Sequence, residues 1–195
     1  DDTFTVPGRH GNLTTTDGAF DSYIRSAEFI VKDEKRLDEI CAHFKGSGWL
    51  IFSNEPDRKF KARVANQIEF SHVIRHFKRF AVEFEMQPFG YDIFEQMITK
   101  TAPFSLFNIG TFEAEPIITI FGNGNITLYV NNKSIYLKEI TDKIIIDSEM
   151  KNAYNNSVSL NYKMSGDFPA LSLGENNISW IGAVIKLEIQ PNWRW

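Results

Sequence analysis

The sequence predicts a mainly β protein, with a helix-bearing first half and an all-strand second half. Three observations carry this reading. Residues 110–132 read GTFEAEPIITIFGNGNITLYVNN, two β-branched runs separated by Gly122-Asn123-Gly124-Asn125. An Asn/Gly turn between such runs is the strongest short-range signal for a hairpin. The chain is also rich in Phe, Ile and Thr, residue types that fit a pleated, half-buried surface. Finally, convincing helical spacing occurs at one place only, residues 34–44.

In chain order, residues 6–12 (VPGRHGN) form a turn-rich string in which Gly8 and Gly11 serve positive φ angles. Residues 23–31 predict a strand. Asp33 then serves as N-cap for a helix over 34–44, with Glu34 favourable in its first turn. Leu37, Ile40, Cys41 and Phe44 fall on one face of that helix and are expected to pack on a sheet, and Gly46-Ser47-Gly48 ends it. Residues 49–52 predict a short buried strand and 53–57 a turn. Residues 59–65 alternate, with Phe60, Ala62 and Val64 inward and Lys59, Lys61 and Arg63 outward. Residues 80–86 alternate likewise, with Phe80, Val82, Phe84 and Met86 inward, and residues 87–91 stop that strand. Residues 93–101 predict an irregular strand.

Beyond the hairpin, strands are expected at 135–140, 143–147, 158–164, 171–176, 178–180 and 184–189, with a turn-rich 152–156 among them. Their spacing suggests a sandwich. Ile185, Leu187 and Ile189 face inward in the last strand, with Lys186 and Glu188 outward.

The 195 residues suffice for one large domain or two small ones. A net charge of −4 argues against a dedicated nucleic-acid binder, which carries a basic excess. Cys41 is the single cysteine, so an intrachain disulfide is excluded and a reducing compartment is the simplest context. No apolar run approaches the roughly 20 residues of a membrane-spanning helix, and no signal peptide is visible. The start at Asp1-Asp2 without Met leads us to expect a piece of a longer protein.

Each candidate for chemistry stands beside a plainer reading. His72 and His76 have the spacing of a helical metal pair, but no third ligand accompanies them and a β-patterned strand follows at once; an exposed turn is the favoured reading. Arg58, Lys59, Lys61, Arg63, Arg75, Lys78 and Arg79 concentrate positive charge in an acidic chain. A phosphate or nucleic-acid surface would use such a patch, but a solvated strand face or a subunit contact is favoured. Trp49 and Trp180 lie in apolar strands and are expected in the core, whereas Trp193 and Trp195 are candidates for exposed contact. Asp142, Asp147 and Glu149 could form a glycosidase pair by count alone, and nothing in their spacing separates them from loop acids. Gly122-Asn123-Gly124 is no phosphate loop, since no helix follows. No Ser or Cys nucleophile motif occurs, and the sequence supports no catalysis.

Several stretches taken together are similar to the distal tail protein (Dit) family of long-tailed phages and prophages of Gram-positive bacteria. They are VPGRHGNL at 6–13, LIFSNEPDR at 50–58 after the helix, FEMQPFGY at 84–91, NIGTFEAEP at 108–116, and the run from GDFP at 166–169 to Trp180. The most specific are FSNEPDR and GTFEAEPIITIFGNG. The resemblance implies an N-terminal β-sandwich domain with a helix over 1–107, which forms a ring of six copies, and a C-terminal galectin-like β-sandwich over 108–195. It implies a virion structural protein, not an enzyme, without cofactor or metal. Such a baseplate hub joins the tail tube to tail-tip or receptor-binding proteins. DNA passes through its centre as transient cargo, no membrane is involved, and assembly takes place in the host cytoplasm.

On this reading Lys59, Lys61 and Arg63 are expected near a subunit boundary or the lumen. Family members carry a further N-terminal segment ahead of the turn at 6–13. The second half has no H-x-N-x-R sugar-binding string and no room for an inserted carbohydrate-binding module. The alternative function is carbohydrate binding in host cell-wall recognition, for which Trp193 and Trp195 are the candidate aromatics.

Overall fold

The computed structural model describes residues 2–5, 7, 8, 10–15, 18–30, 37–65 and 79–195. The chain divides into two compact units, Asp1–Leu50 with Phe60–Pro88, and Ile51–Lys59 with Phe89–Trp195. The architecture is mainly β, and its registered strand pairs are antiparallel.

The first unit opens with a two-stranded ribbon, β1 (Asp2–Thr5) and β2 (Asn12–Thr15), in which Asp2 faces Thr15. Gly8 and Gly11 in the connection have φ of 83° and 82°, as expected for this turn. Its flanking strands were not legible, because DTFT and NLTT each hold a single apolar residue and show no alternation. Then come β3 (Tyr23–Ile30), the helix α1 (Leu37–His43), β4 (Ser47–Phe52), β5 (Glu55–Val64) and β6 (Arg79–Asp92). The four strands form one sheet in the order β3-β6-β5-β4.

Strand alternation sends Phe80, Val82, Phe84 and Met86 of β6 to one face, where all four are buried, as the sequence predicts. Phe44, just past α1, packs into this face. Its ring centroid lies 4.8 Å from Phe29, 5.6 Å from Phe80 and 6.2 Å from Phe84. This aromatic cluster fastens the helix end to the sheet, and Gly46 at φ 78° then turns the chain into β4. Asp33, Glu34 and the side chain of Cys41 lie outside the described residues.

Two expectations for this sheet are corrected. The strand at 49–52 is not buried: Leu50 is half-buried and Trp49 is 51% exposed. Four apolar residues in a row carry no alternation, so the sequence could not separate the two faces. Nor does β6 stop at 87–91; it runs on to Asp92. Its pairing with β3 ends at Met86 opposite Tyr23, so Pro88 lies beyond that neighbour and its missing N–H breaks no bond of the β3–β6 ladder.

In the second unit, β7 (Ile98–Lys100) and β8 (Phe104–Asn108) are short, and β9 (Ile117–Val130) is long. After them come β10 (Lys133–Ile140), β11 (Lys143–Asp147), β12 (Asn152–Asn155), β13 (Val158–Ser159), a 3-10 turn at Asn161–Lys163, β14 (Met164–Ser165) and β15 (Gly174–Gln190). The domain boundary expected between residues 107 and 108 falls inside β8, which pairs with β15 from Phe104 opposite Ile178 to Asn108 opposite Gly174.

Strand β9 corrects the hairpin expectation. Residues 117–130 are one strand, and the tight turn lies at Asn131-Asn132, where Val130 faces Lys133 and Asn131 takes φ 55°. One edge of β9 pairs with β11 along 117–121 and with β10 along 124–130, while the other edge pairs with β15 throughout. The two long strands are therefore shared between two strand groups, and the Gly/Asn segment is where β9 passes from one to the other. Such sheet-switching strands make the corners of sandwiches.

Close approach explains the glycines there. A Cβ on Gly122 would lie 2.3 Å from the Ala183 carbonyl oxygen, and one on Gly182 would lie 2.6 Å from that of Asn125. Asn123 and Asn125 contribute side-chain oxygens that accept the N–H groups of Asp142 and Glu139. The expected strands at 178–180 and 184–189, with the end of that at 171–176, merge into the single β15, which begins at Gly174. The register slips between Val184 and Lys186, which leaves Ile185 68% exposed while Leu187 and Ile189 are fully buried.

Candidate functional site

The four-stranded sheet of the first unit presents a group of exposed and half-buried polar side chains on its outer face. Its inner face is taken by the aromatic cluster around Phe44, so alternation places Lys61 and Arg63 of β5, Glu83 and Glu85 of β6, and Glu28 of β3 on the opposite face. Trp49 of β4 joins them, with the Lys61 ammonium 5.4 Å from its ring centroid. Of these groups, Trp49, Lys61, Arg63 and Glu85 border a groove of about 310 Å³, which Ser47 and Gln87 also line.

One ion pair, Arg63 with Glu85, lies within the groove. Arg63 Nε donates to Glu85 Oε2 at 2.8 Å, and Ser22 Oγ donates to Glu85 Oε1 at 3.0 Å. The Arg63 hydrogen bond, followed by that of Ser22, holds the Glu85 carboxyl below its usual range. A half-exposed indole carrying a cation, beside an ion pair, is a surface suited to contact. It brings no nucleophile and base together.

Of the predicted site residues, Lys61 and Arg63 thus share one face with Trp49, which the sequence placed in the core. Lys59, two residues before Lys61 on β5, is half-buried. Trp193 and Trp195, expected to be exposed, are corrected: Trp193 is 6% exposed within the core of the second unit and Trp195 packs against that core. The cause is the path of the chain after β15. Trp195 exchanges two backbone hydrogen bonds with Gly90, and the Arg194 carbonyl accepts the Thr111 N–H at 2.9 Å. Glu95 Oε1 accepts the Trp193 N–H at 3.1 Å. Arg194 Nη2 reaches Glu115 at 2.6 Å, and Lys151 holds the other oxygen of the same carboxylate at 2.6 Å. Burial alone would raise the Glu115 pKa, but these two cations outweigh it and leave the carboxyl below its usual range. Trp180 lies partly buried against the same core, close to expectation.

The remaining candidates take structural places. Asp147 Oδ1 accepts the Met150 N–H at 2.9 Å and so braces a turn. Asp142 holds a left-handed position at φ 69°. His72, His76, Arg75 and Lys78 lie outside the described residues, as does the side chain of Arg79. Among the described residues, no group of three His, Cys, Asp or Glu is placed to hold a metal ion, and no helix is long and apolar enough to cross a membrane.

With the fold in view, comparison with known proteins becomes informative. No protein-family model matches the chain, and no curated protein sequence does. A mainly β protein of known structure does match. It is SPP1 Dit (gp 19.1), described as a paradigm of the hub adsorption apparatus in phages infecting Gram-positive hosts. The match has a TM-score of 0.70 over 96% of this chain and 85% of that chain, at 14% sequence identity. At that identity the likeness establishes a shared fold.

Proposed function

We propose that this chain is a structural component of a phage tail, a distal tail protein that acts as a hub. The observation that carries the proposal is the fold likeness to SPP1 Dit, which spans nearly the whole of this chain and both of its units. In this reading the first part of the chain forms a ring of six copies around a channel through which DNA passes. The second part forms a galectin-like sandwich, and the ring joins the tail tube to tail-tip proteins in the virion. Lys59, Lys61 and Arg63 lie at a subunit boundary or the lumen. The exposed groove formed by Trp49, Lys61 and Arg63 supports a role in contact, and no catalytic step is proposed.

The test is the mass and shape of the purified protein, by light scattering together with negative-stain imaging. A ring of six copies with a central hole is the expected result. A monomer that persists at every concentration overturns the reading.

A further inference from the structure

Across β14, β10, β9 and β15 the second unit has an outer strand face that alternation builds. Ile126, Leu128, Val130, Ile135, Leu137 and Ile178 point into the core and are buried. The residues between them point the other way, and the strand registers set them in rows. Ser165, Tyr136, Thr127 and Ile181 stand side by side across the four strands, and Ser134, Tyr129 and Ser179 make the next row. None of these side chains carries a charge at neutral pH.

Along the first row the face holds a groove of about 380 Å³, lined by Asn125, Thr127, Tyr136, Lys138 and Ser165 together with Ile126 and Leu137. Pockets that take small ligands run from about 300 to about 1,000 Å³. Tyr136 is 51% exposed, so its ring is open to a ligand. Ser134 Oγ donates to the Tyr136 hydroxyl at 3.4 Å. Asn125 Oδ1 accepts the Glu139 N–H at 3.0 Å, which fixes the carboxamide and turns its Nδ2 into the donor side. Among the described residues that line the groove, Lys138 is the one charged group.

The geometry points to a saccharide site on this face, with a sugar ring laid on Tyr136 and its hydroxyls bonded to Asn125, Thr127, Lys138 and Ser165. A pyranose has C–H faces that pack on an aromatic ring and a rim of hydroxyls that both donate and accept. A ring bordered by amide, hydroxyl and ammonium groups answers both needs. A nucleic acid would call for a track of cations along its backbone, and this groove has one. The lining offers no carboxylate pair, so the site binds sugar without cleaving it. Tyr136 thus takes the part for which the sequence put forward Trp193 and Trp195, both drawn into or against the core. The inference is independent of the six-copy ring, because every residue it uses belongs to the second unit.

The test is saturation-transfer NMR on the full chain. The probes are methyl glycosides of glucose, galactose, rhamnose, N-acetylglucosamine and N-acetylgalactosamine, each titrated against the parent and four variants. Circular dichroism and thermal melts establish that each variant is folded. At least one glycoside should receive saturation on its ring C–H protons from the parent. Tyr136→Ala should weaken that glycoside at least about tenfold, whereas Tyr136→Phe, which keeps the platform, should hold it. Ser165→Arg obstructs the groove from an exposed position and removes no packing, so it should abolish the signal even if Tyr136→Ala proves unstable. Phe107→Ala removes another exposed ring of the same unit, outside the groove, and should bind like the parent. Absence of transfer to every glycoside overturns the inference, as does binding that survives both Tyr136→Ala and Ser165→Arg or that is lost with Phe107→Ala.

Discussion

Glu95 sits half-buried beside the segment that follows β15, where it accepts the backbone N–H of Trp193. Burial is the chief influence on its carboxyl and raises its pKa, against the opposing pull of the Trp193 and Asn192 N–H groups, Gln190 and Lys59. A carboxyl whose folded pKa exceeds its unfolded one contributes stability in full below the unfolded value and loses it as pH rises through the folded value. Charging Glu95 therefore works against the fold near neutrality. Glu95→Gln keeps a side-chain acceptor for Trp193 and carries no charge. Its melting temperature relative to the parent should climb as pH is raised from about 4 to about 7. A difference that stays flat across this range would contradict the burial account. None of this was visible in the sequence, because Glu95 lies in the irregular stretch before β7 and meets Trp193 only through the return of the chain end.

At the scale of elements, the helix and the alternating strands were legible and the long strands were not. Phe80, Val82, Phe84 and Met86 announce their burial by period two, and the structure buries each of them. Phe44 was legible as part of the apolar stripe of the helix expected over 34–44; it lies just past α1, and its ring meets Phe29, Phe80 and Phe84. Phe44→Ala should lower the stability of the first unit by about 2 to 3 kcal/mol, less than a fully buried ring because Phe44 is half-exposed. Chemical denaturation followed by circular dichroism measures this, and an unchanged midpoint would remove Phe44 from the packing of the helix. The misreadings share a physical origin. Gly122-Asn123-Gly124-Asn125 has the composition of a turn, but those glycines admit the Ala183 backbone at close range and the asparagines satisfy backbone N–H groups on the far side of a bend. Local chemistry is the same in both cases, and only a partner some 60 residues away in sequence distinguishes them. The misplaced tryptophans follow the same rule. Trp49 needed the register of β4, and Trp193 needed the path of the chain after Gln190.

For the whole molecule, sequence resemblance and fold likeness point the same way through different information. The resemblance rests on short strings scattered along the chain, and the fold match spans 96% of it at 14% identity. If copies meet through the face that bears Lys61 and Arg63, as proposed above, association should be sensitive to ionic strength. Exposed charges are screened over about 10 Å at 0.1 M salt and about 3 Å at 1 M. Raising sodium chloride from about 0.05 M to about 0.5 M should shift parent assemblies toward smaller species in sedimentation, while an interface held by apolar burial alone would hold firm or tighten.

The sharing of β15 among β7, β8 and β9 also bears on how the molecule comes into being. On the ribosome, β9 can gather β10 and β11 along one edge as soon as they emerge, since those pairings are short-range. Its other edge waits until Gly174–Gln190 has been made, and β7 and β8 wait with it. Closing that second edge is therefore a long-range step that cannot begin until β15 has been made. The stretch of chain between Val130 and Gln190 thus fixes the earliest point at which the core strand of the second unit can be paired on both edges.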